Sequence, residues 1–153
     1  MRAILMALAL LLWAGAAPAE QEGYYYPPIT SSEVFARTLA EAPPAGREER
    51  IAFVTQFTRE QLGLGYAPRY ALLAKGAEAQ ELIVVSLDDA VFRTLFRARA
   101  VMAQLSAPAR MTEFFTRNQV ADVATFYDML KLMGFRNLTL SDGATWSHRV
   151  DFE

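Results

Sequence analysis

The spacing of apolar side chains in the first half of the chain predicts two helices. A Thr-x-x-Glu pattern, from Thr30 to Glu33, matches a capping box and predicts a first helix that runs to about Ala42. A Pro-Pro-Ala-Gly linker at 43–46 separates it from the second helix. Apolar residues then recur at helical spacing until Gly63 ends the pattern, and they are Ile51, Val54, Phe57 and Leu62.

The middle of the chain predicts a β-hairpin followed by a helix. Two short runs rich in β-forming residues, 70–74 and 82–87, flank a polar turn at Gly76, which indicates an antiparallel hairpin. Asp88 and Asp89 are expected to cap the next helix. Its apolar face is predicted to carry Phe92, Leu95, Phe96, Met102 and Leu105.

Two more helical segments are predicted before the last part of the chain. Pro108 is expected to end the preceding helix, and a short helical piece is expected over 111–117. A further helix is predicted over 119–133, with Gly134 as its left-handed stop. Its apolar stripe consists of Val123, Phe126, Tyr127 and Leu130.

The last part of the chain predicts a second hairpin, with strands over 135–140 and 144–152. Because side chains alternate along a strand, only a loop with an odd number of residues puts the leucines of the first strand on the apolar face of the second. A three-residue loop, Ser141-Asp142-Gly143, with Gly143 in the left-handed region, is therefore favoured over a two-residue turn. The residues so grouped are Leu138, Leu140, Trp146, Val150 and Phe152.

The element order αα-ββ-αα-ββ predicts an α+β fold. Residues 30–153 are expected to form a single domain, in which one antiparallel sheet of two hairpins is packed by about four helices. The ten phenylalanines and six tyrosines of the chain are sufficient for such a core.

The N-terminus has the pattern of a cleavable signal peptide over 1–19. Arg2 precedes an apolar run at 3–13, and the small residues up to Ala19 end in Ala-x-Ala. The run is shorter than a membrane-spanning helix requires, so no membrane anchor is expected. Cleavage after Ala19 predicts an exported, periplasmic protein that begins with an extended arm over 20–29.

The composition of the chain excludes several kinds of binding site and partner. The chain has no cysteine, which excludes disulfides, thiolate metal sites and a cysteine nucleophile. Its net charge of −2, with both signs interspersed, argues against nucleic acid as a partner. No cluster of possible ligands has a recognisable metal-binding spacing, so neither a metal nor a cofactor is predicted.

The single histidine and one arginine are the candidate site residues. His148 shares a strand face with apolar residues, so it is either a hydrogen-bonded histidine of a half-buried sheet or the only possible imidazole base. Without a Gly-x-Ser-x-Gly motif, serine-hydrolase chemistry is not predicted. Arg99 lies on the apolar face of its helix, where it either reaches water or a carboxylate, or binds an anion in a cleft.

Two other groups of residues are candidates for binding. Asp88 and Asp89 could bind a metal with other carboxylates, but helix capping accounts for them. Tyr24, Tyr25 and Tyr26, which precede two prolines in the arm, are candidates for a contact surface with a partner. The alternative is that the arm folds back over its own domain.

Three segments carry a resemblance to a known group of proteins. Tyr24-Tyr25-Tyr26-Pro27-Pro28, the run from Ala98 to Leu105, and Leu138-Thr139-Leu140-Ser141-Asp142-Gly143 resemble small exported bacterial proteins of unestablished function. Some of that group are assigned to molybdopterin-guanine dinucleotide biosynthesis. The nucleotidyltransferases of that pathway have a glycine-rich, phosphate-binding loop, and this chain has none.

Together these features predict an exported accessory or binding domain, non-enzymatic, that acts by contact with a protein or small molecule. The alternative is a small periplasmic anion-binding protein or enzyme that uses Arg99 with His148 or Asp88. Convergence of these side chains in one open pocket would favour the alternative. The sequence does not indicate an oligomeric state.

Overall fold

The computed structural model describes residues 26–39, 45–88, 91–118 and 125–153, and they form an α+β fold. The α+β prediction is therefore confirmed. The elements in chain order are β1 Ser31–Phe35, α1 Arg47–Leu62, β2 Tyr70–Lys75, β3 Glu81–Ser86, α2 Leu95–Gln104, α3 Ser106–Arg110, α4 Glu113–Asn118, α5 Phe126–Leu132, β4 Asn137–Ser141 and β5 Ser147–Phe152.

The strands form one mixed five-stranded sheet in the order β1-β5-β4-β3-β2. Both predicted hairpins are present, because β2 pairs antiparallel with β3 and β4 pairs antiparallel with β5. The prediction of a purely antiparallel sheet is wrong, since β3 runs parallel to β4 and β1 runs parallel to β5. The signal peptide predicted at 1–19 lies outside the described residues.

The predicted first helix is instead a strand. Residues Ser31–Phe35 form β1, and the Thr30 hydroxyl donates to the Ser147 carbonyl oxygen rather than capping a helix. Its backbone N–H also donates to that oxygen, at 3.0 Å. Pairing with a strand far along the chain therefore outweighs a local capping pattern, as tertiary contacts often do.

The second predicted helix is confirmed as α1, which ends at Leu62 with Gly63 as its C-cap. The expected start of the next helix is wrong, because Thr94, not Asp88 or Asp89, is the N-cap of α2. Asp89 itself lies outside the described residues. Phe96, placed on the apolar face by its spacing, is 82% exposed.

The later helices also differ from the sequence prediction. Pro108 lies within the first turn of α3, where the missing N–H of proline costs no helical hydrogen bond. The short predicted helix corresponds to α4. The predicted helix over 119–133 corresponds in its described part to α5, and Gly134 has the expected positive φ of 75°.

The helices cover one face of the sheet with a core rich in phenylalanine. Phe53 of α1 lies at its centre, 2% exposed, with four aromatic rings within 6.4 Å between centroids. Those rings belong to Phe57, Phe115, Phe126 and Phe135.

One charged side chain is buried beside this core. Arg50, 7% exposed, donates from Nε and Nη2 to the Glu78 carbonyl oxygen, at 3.0 and 2.8 Å. Its Nη1 donates to the carbonyl oxygens of Met133, at 3.1 Å, and Ala45. Arg50 therefore bridges the start of α1, the β2–β3 turn and the end of α5.

The β4–β5 loop confirms the parity predicted from the sequence. Leu138 pairs with Val150, so the apolar residues share a face as expected. The loop is longer than predicted, because Ser141 pairs with Ser147 and five residues lie between them. Gly143 has the expected left-handed conformation, with φ of 80°.

The longer loop is closed by the Asp142 carboxylate. It accepts the backbone N–H groups of Ala144, Thr145 and Trp146 at 2.8–2.9 Å and the Thr145 hydroxyl at 2.7 Å. Partial burial opposes ionisation, but these donors outweigh it and lower the pKa of Asp142 from 3.8 to about 2.

Replacing Asp142 with alanine is expected to lower the free energy of unfolding by about 1–2 kcal/mol at neutral pH, as for the loss of a helix cap. Because the folded state lowers this pKa, the stabilisation is complete above pH 3.8 and is lost as pH falls through about 2. Urea unfolding of both proteins across this range measures the difference. A difference that stays constant down to pH 2 would contradict this assignment.

Candidate functional site

The two ends of the described chain meet where β1 lies beside β5. In this parallel pair Ser31 is in register with His148 and Glu33 with Val150. Residues two apart on a strand point to the same face, so Ser31, Glu33 and Phe35 share a face with His148. This places a hydroxyl, a carboxylate and the only imidazole of the chain together.

His148 is buried, and its two ring nitrogens face Ser31 and Glu33. Only 2% of the residue is exposed, and its ring stacks on Trp146 with an interplanar angle of 6°. Nδ1 lies 2.8 Å from Ser31 Oγ, and Nε2 lies 3.5 Å from Glu33 Oε1. Nε2 makes no hydrogen bond to any described residue, and the Glu33 carboxylate is the charged group beside it.

Glu33 also pairs with Arg99. The Arg99 Nη2 group donates to Glu33 Oε2, the second oxygen of the carboxylate that faces His148. The Arg99 side chain remains 51% exposed. Arg99 therefore has the carboxylate partner that the sequence allowed, and it also reaches a surface.

Tyr127 completes the cluster from α5. Its ring packs edge-on against Phe35, at 5.6 Å between centroids, and its buried hydroxyl has no hydrogen-bond partner among the described residues. Burial and the Glu33 carboxylate raise the pKa of Tyr127 to about 12, although Arg99 opposes this effect. The phenol therefore stays protonated near neutral pH.

An open groove of about 540 Å³ lies beside the cluster. This volume is within the usual range for small-molecule sites. Apolar side chains line it together with two guanidinium groups and the phenol, and the main lining residues are Phe35, Arg99, Met102, Arg110, Phe126 and Tyr127. We call this the Arg99 groove.

A larger groove, of about 810 Å³, lies between α1 and α4. Side chains of the protein already join its two walls, because Arg117 pairs with Glu49 and the Glu113 N–H donates to Gln56 at 3.3 Å. One ion pair and one hydrogen bond therefore already cross this groove.

The structure brings together some predicted site residues and separates others. Arg99 and His148 both contact one acid, Glu33, but His148 is buried and only Arg99 lines the open groove. Asp88 lies elsewhere, with its carboxylate 3.7 Å from Arg69 Nε. Among the described residues, no group of three or more histidine, aspartate and glutamate side chains could hold a metal ion.

Sequence reasoning missed Ser31, Glu33 and Tyr127. Ser31 and Glu33 lie within the segment whose pattern predicts a helix, and the helical spacing places Tyr127 only on an apolar stripe. The alternation of Ser31, Glu33 and Phe35 with their neighbours is the signal that could have placed these three residues of β1 on one strand face. It gives no information on Tyr127, which lies on α5.

The described end of the arm lies on the domain. The Ser147 hydroxyl donates to the carbonyl oxygens of Pro27 and Pro28, at 3.0 and 2.8 Å, and Tyr26 is partly buried. This agrees with the alternative in which the arm folds back. Tyr24 and Tyr25 lie outside the described residues.

Comparison of the chain with protein-family models, with curated proteins and with solved structures finds no match. The resemblance to small exported bacterial proteins therefore stays a prediction. None of the helices in the described parts of the chain is long and apolar enough to cross a membrane.

Proposed function

We propose that this chain is an exported binding domain that takes a small organic anion in the Arg99 groove. The observation that carries the proposal is the position of Arg99, which pairs with Glu33 on one side and lines an open, largely apolar groove. Export is proposed from the signal-peptide pattern at 1–19. A role in molybdopterin-guanine dinucleotide biosynthesis, suggested by resemblance alone, gains no support from this site.

The chemistry of the groove favours a carboxylate with an apolar body. A guanidinium has five N–H donors, and the contact with Glu33 engages the Nη2 group, so further donors can meet a second anion. Arg110 adds positive charge, while Phe35, Met102 and Phe126 offer apolar contact. The protonated Tyr127 phenol is a neutral donor beside them.

Glu33 competes with such a ligand for the same guanidinium. A bound carboxylate would share Arg99 with Glu33, and like charges close together repel. Removal of the Glu33 charge should therefore strengthen binding, whereas removal of Arg99 should weaken it. These opposite signs separate a binding role from simple damage to the fold.

We expect purified protein to bind phenylacetate, measured by isothermal titration calorimetry. Arg99→Ala should weaken binding at least about tenfold, because a hydrogen bond to a charged group contributes about 1.5–3 kcal/mol. Glu33→Gln should tighten it severalfold. Arg59→Ala, an exposed arginine of α1 outside this groove, is the matched control and should bind as the parent does.

Phenyl phosphate in the same titration distinguishes a carboxylate site from a general anion site. Equal affinity for phenylacetate in the parent and in a folded Arg99→Ala variant would contradict the proposal. A parent protein that binds neither phenylacetate nor phenyl phosphate would also contradict the proposal.

A further inference from the structure

Ser31 is an exposed serine whose hydroxyl contacts a buried imidazole. We propose that Ser31 is a nucleophile that attacks carboxylic esters, with His148 as its general base and Glu33 as the residue that orients the imidazole. This activity goes beyond the proposed anion binding and does not depend on it. The proposal rests on two features of the β1–β5 pair.

The first feature is the chain of contacts from serine to acid. Ser31 Oγ lies 2.8 Å from His148 Nδ1, and His148 Nε2 lies 3.5 Å from Glu33 Oε1. A serine, an imidazole and an acid in contact in this order are recognised as a triad by geometry, whatever their order in the sequence. Contacts of this kind are often long without substrate and shorten when it binds.

The second feature is the form of the imidazole that the acid favours. A carboxylate beside Nε2 favours the proton on that nitrogen, which leaves Nδ1 as the acceptor that faces Ser31. The ring thus presents Nδ1 to the serine and Nε2 to the acid, the reverse of the serine proteases. Stacking on Trp146 holds the ring in this orientation.

The reaction balances with water as the only co-reactant. Ser31 Oγ forms a bond to the carbonyl carbon while His148 Nδ1 takes the hydroxyl proton. The ester C–O bond then breaks, and the alcohol leaves with that proton. Water attacks the acyl-Ser31 ester, with His148 again as base, and releases the carboxylic acid and free Ser31.

The test is a fluorophosphonate probe on the purified full chain, followed by intact-mass and peptide analysis. Attack by Ser31 on phosphorus expels fluoride, His148 takes the proton, and one phosphonyl group stays on Ser31. We expect one adduct per chain on the peptide that contains Ser31. Ser31→Ala should take none, whereas Ser32→Ala, the neighbour on the opposite face, should react at the parent rate.

Two further variants test the supporting groups. His148→Gln should slow labelling by about a hundredfold or more, within the range for loss of a general base. Glu33→Gln should slow it at least about tenfold, because the positive imidazole formed during attack loses its counter-charge. Since Glu33→Gln should also strengthen phenylacetate binding, general damage to the fold cannot produce both results.

The outcomes are decisive in both directions. An adduct on Ser31 that disappears in Ser31→Ala and persists in Ser32→Ala supports the proposal. A parent chain that takes no adduct, or an adduct that persists in Ser31→Ala, overturns it. Phenylacetate binding can succeed or fail independently of either result.

Discussion

Replacing Arg50 with alanine is expected to destabilise the fold by about 3–5 kcal/mol, because each buried carbonyl oxygen that loses its donor costs about 1–3 kcal/mol. Arg50 donates to the carbonyl oxygens of Ala45, Glu78 and Met133. Alanine would leave these acceptors without their donor, and acceptors that stay buried cost free energy. Urea unfolding followed by circular dichroism measures the loss.

Two variants make this prediction specific. Arg47 is an exposed arginine in the same turn of α1, and its Nε donates to the Ala77 carbonyl oxygen at 3.1 Å. Arg47→Ala should lower the free energy of unfolding by less than about 1 kcal/mol. Arg50→Lys keeps the charge but lacks the planar fork of donors, so most of the loss should remain. A loss for Arg50→Ala no larger than that for Arg47→Ala would show that this network is not important for stability.

Replacing Phe53 with alanine is expected to cost about 3–5 kcal/mol, the usual range for removing a buried phenylalanine. The ring contacts four other aromatic side chains, so its removal leaves a cavity and also removes their edge and stacking contacts. Thermal unfolding should show a correspondingly lower midpoint.

An exposed residue of the same helix provides the control for Phe53→Ala. Ile51 lies two residues earlier and is 36% exposed, so Ile51→Ala should cost less than about 1 kcal/mol. Phe53→Leu fills much of the same space and should remain folded with a smaller loss. Similar losses for Phe53→Ala and Ile51→Ala would contradict the central position of Phe53 in the core.

The parts of the fold that sequence predicted well depend on neighbours in the chain. Gly63 ends α1, Gly134 and Gly143 have positive φ as expected, and the parity of the β4–β5 loop follows from alternation alone. Each of these is decided within a few residues. Local pattern was therefore sufficient for α1 and for both hairpins.

The parts of the fold that the sequence did not predict depend on residues far apart in the chain. Thr30 and Glu33 have the spacing of a helix cap, but their side chains bond to Ser147 and Arg99 instead. Ser31 and His148 are 117 positions apart. No periodicity within one segment can show that such residues meet, so the candidate site could be predicted only as Arg99 and His148 without the acid between them.

The parallel pairing of β1 with β5 also sets the order in which the protein can mature. Ribosomes make β1 early and β5 late, so Ser31 and Glu33 must remain without His148 until nearly all of the described chain exists. Contacts across such long separations form slowly, because a long loop must close first. A chain made only as far as β4 therefore lacks the Ser31–His148–Glu33 cluster, which can form only after β5 has been made.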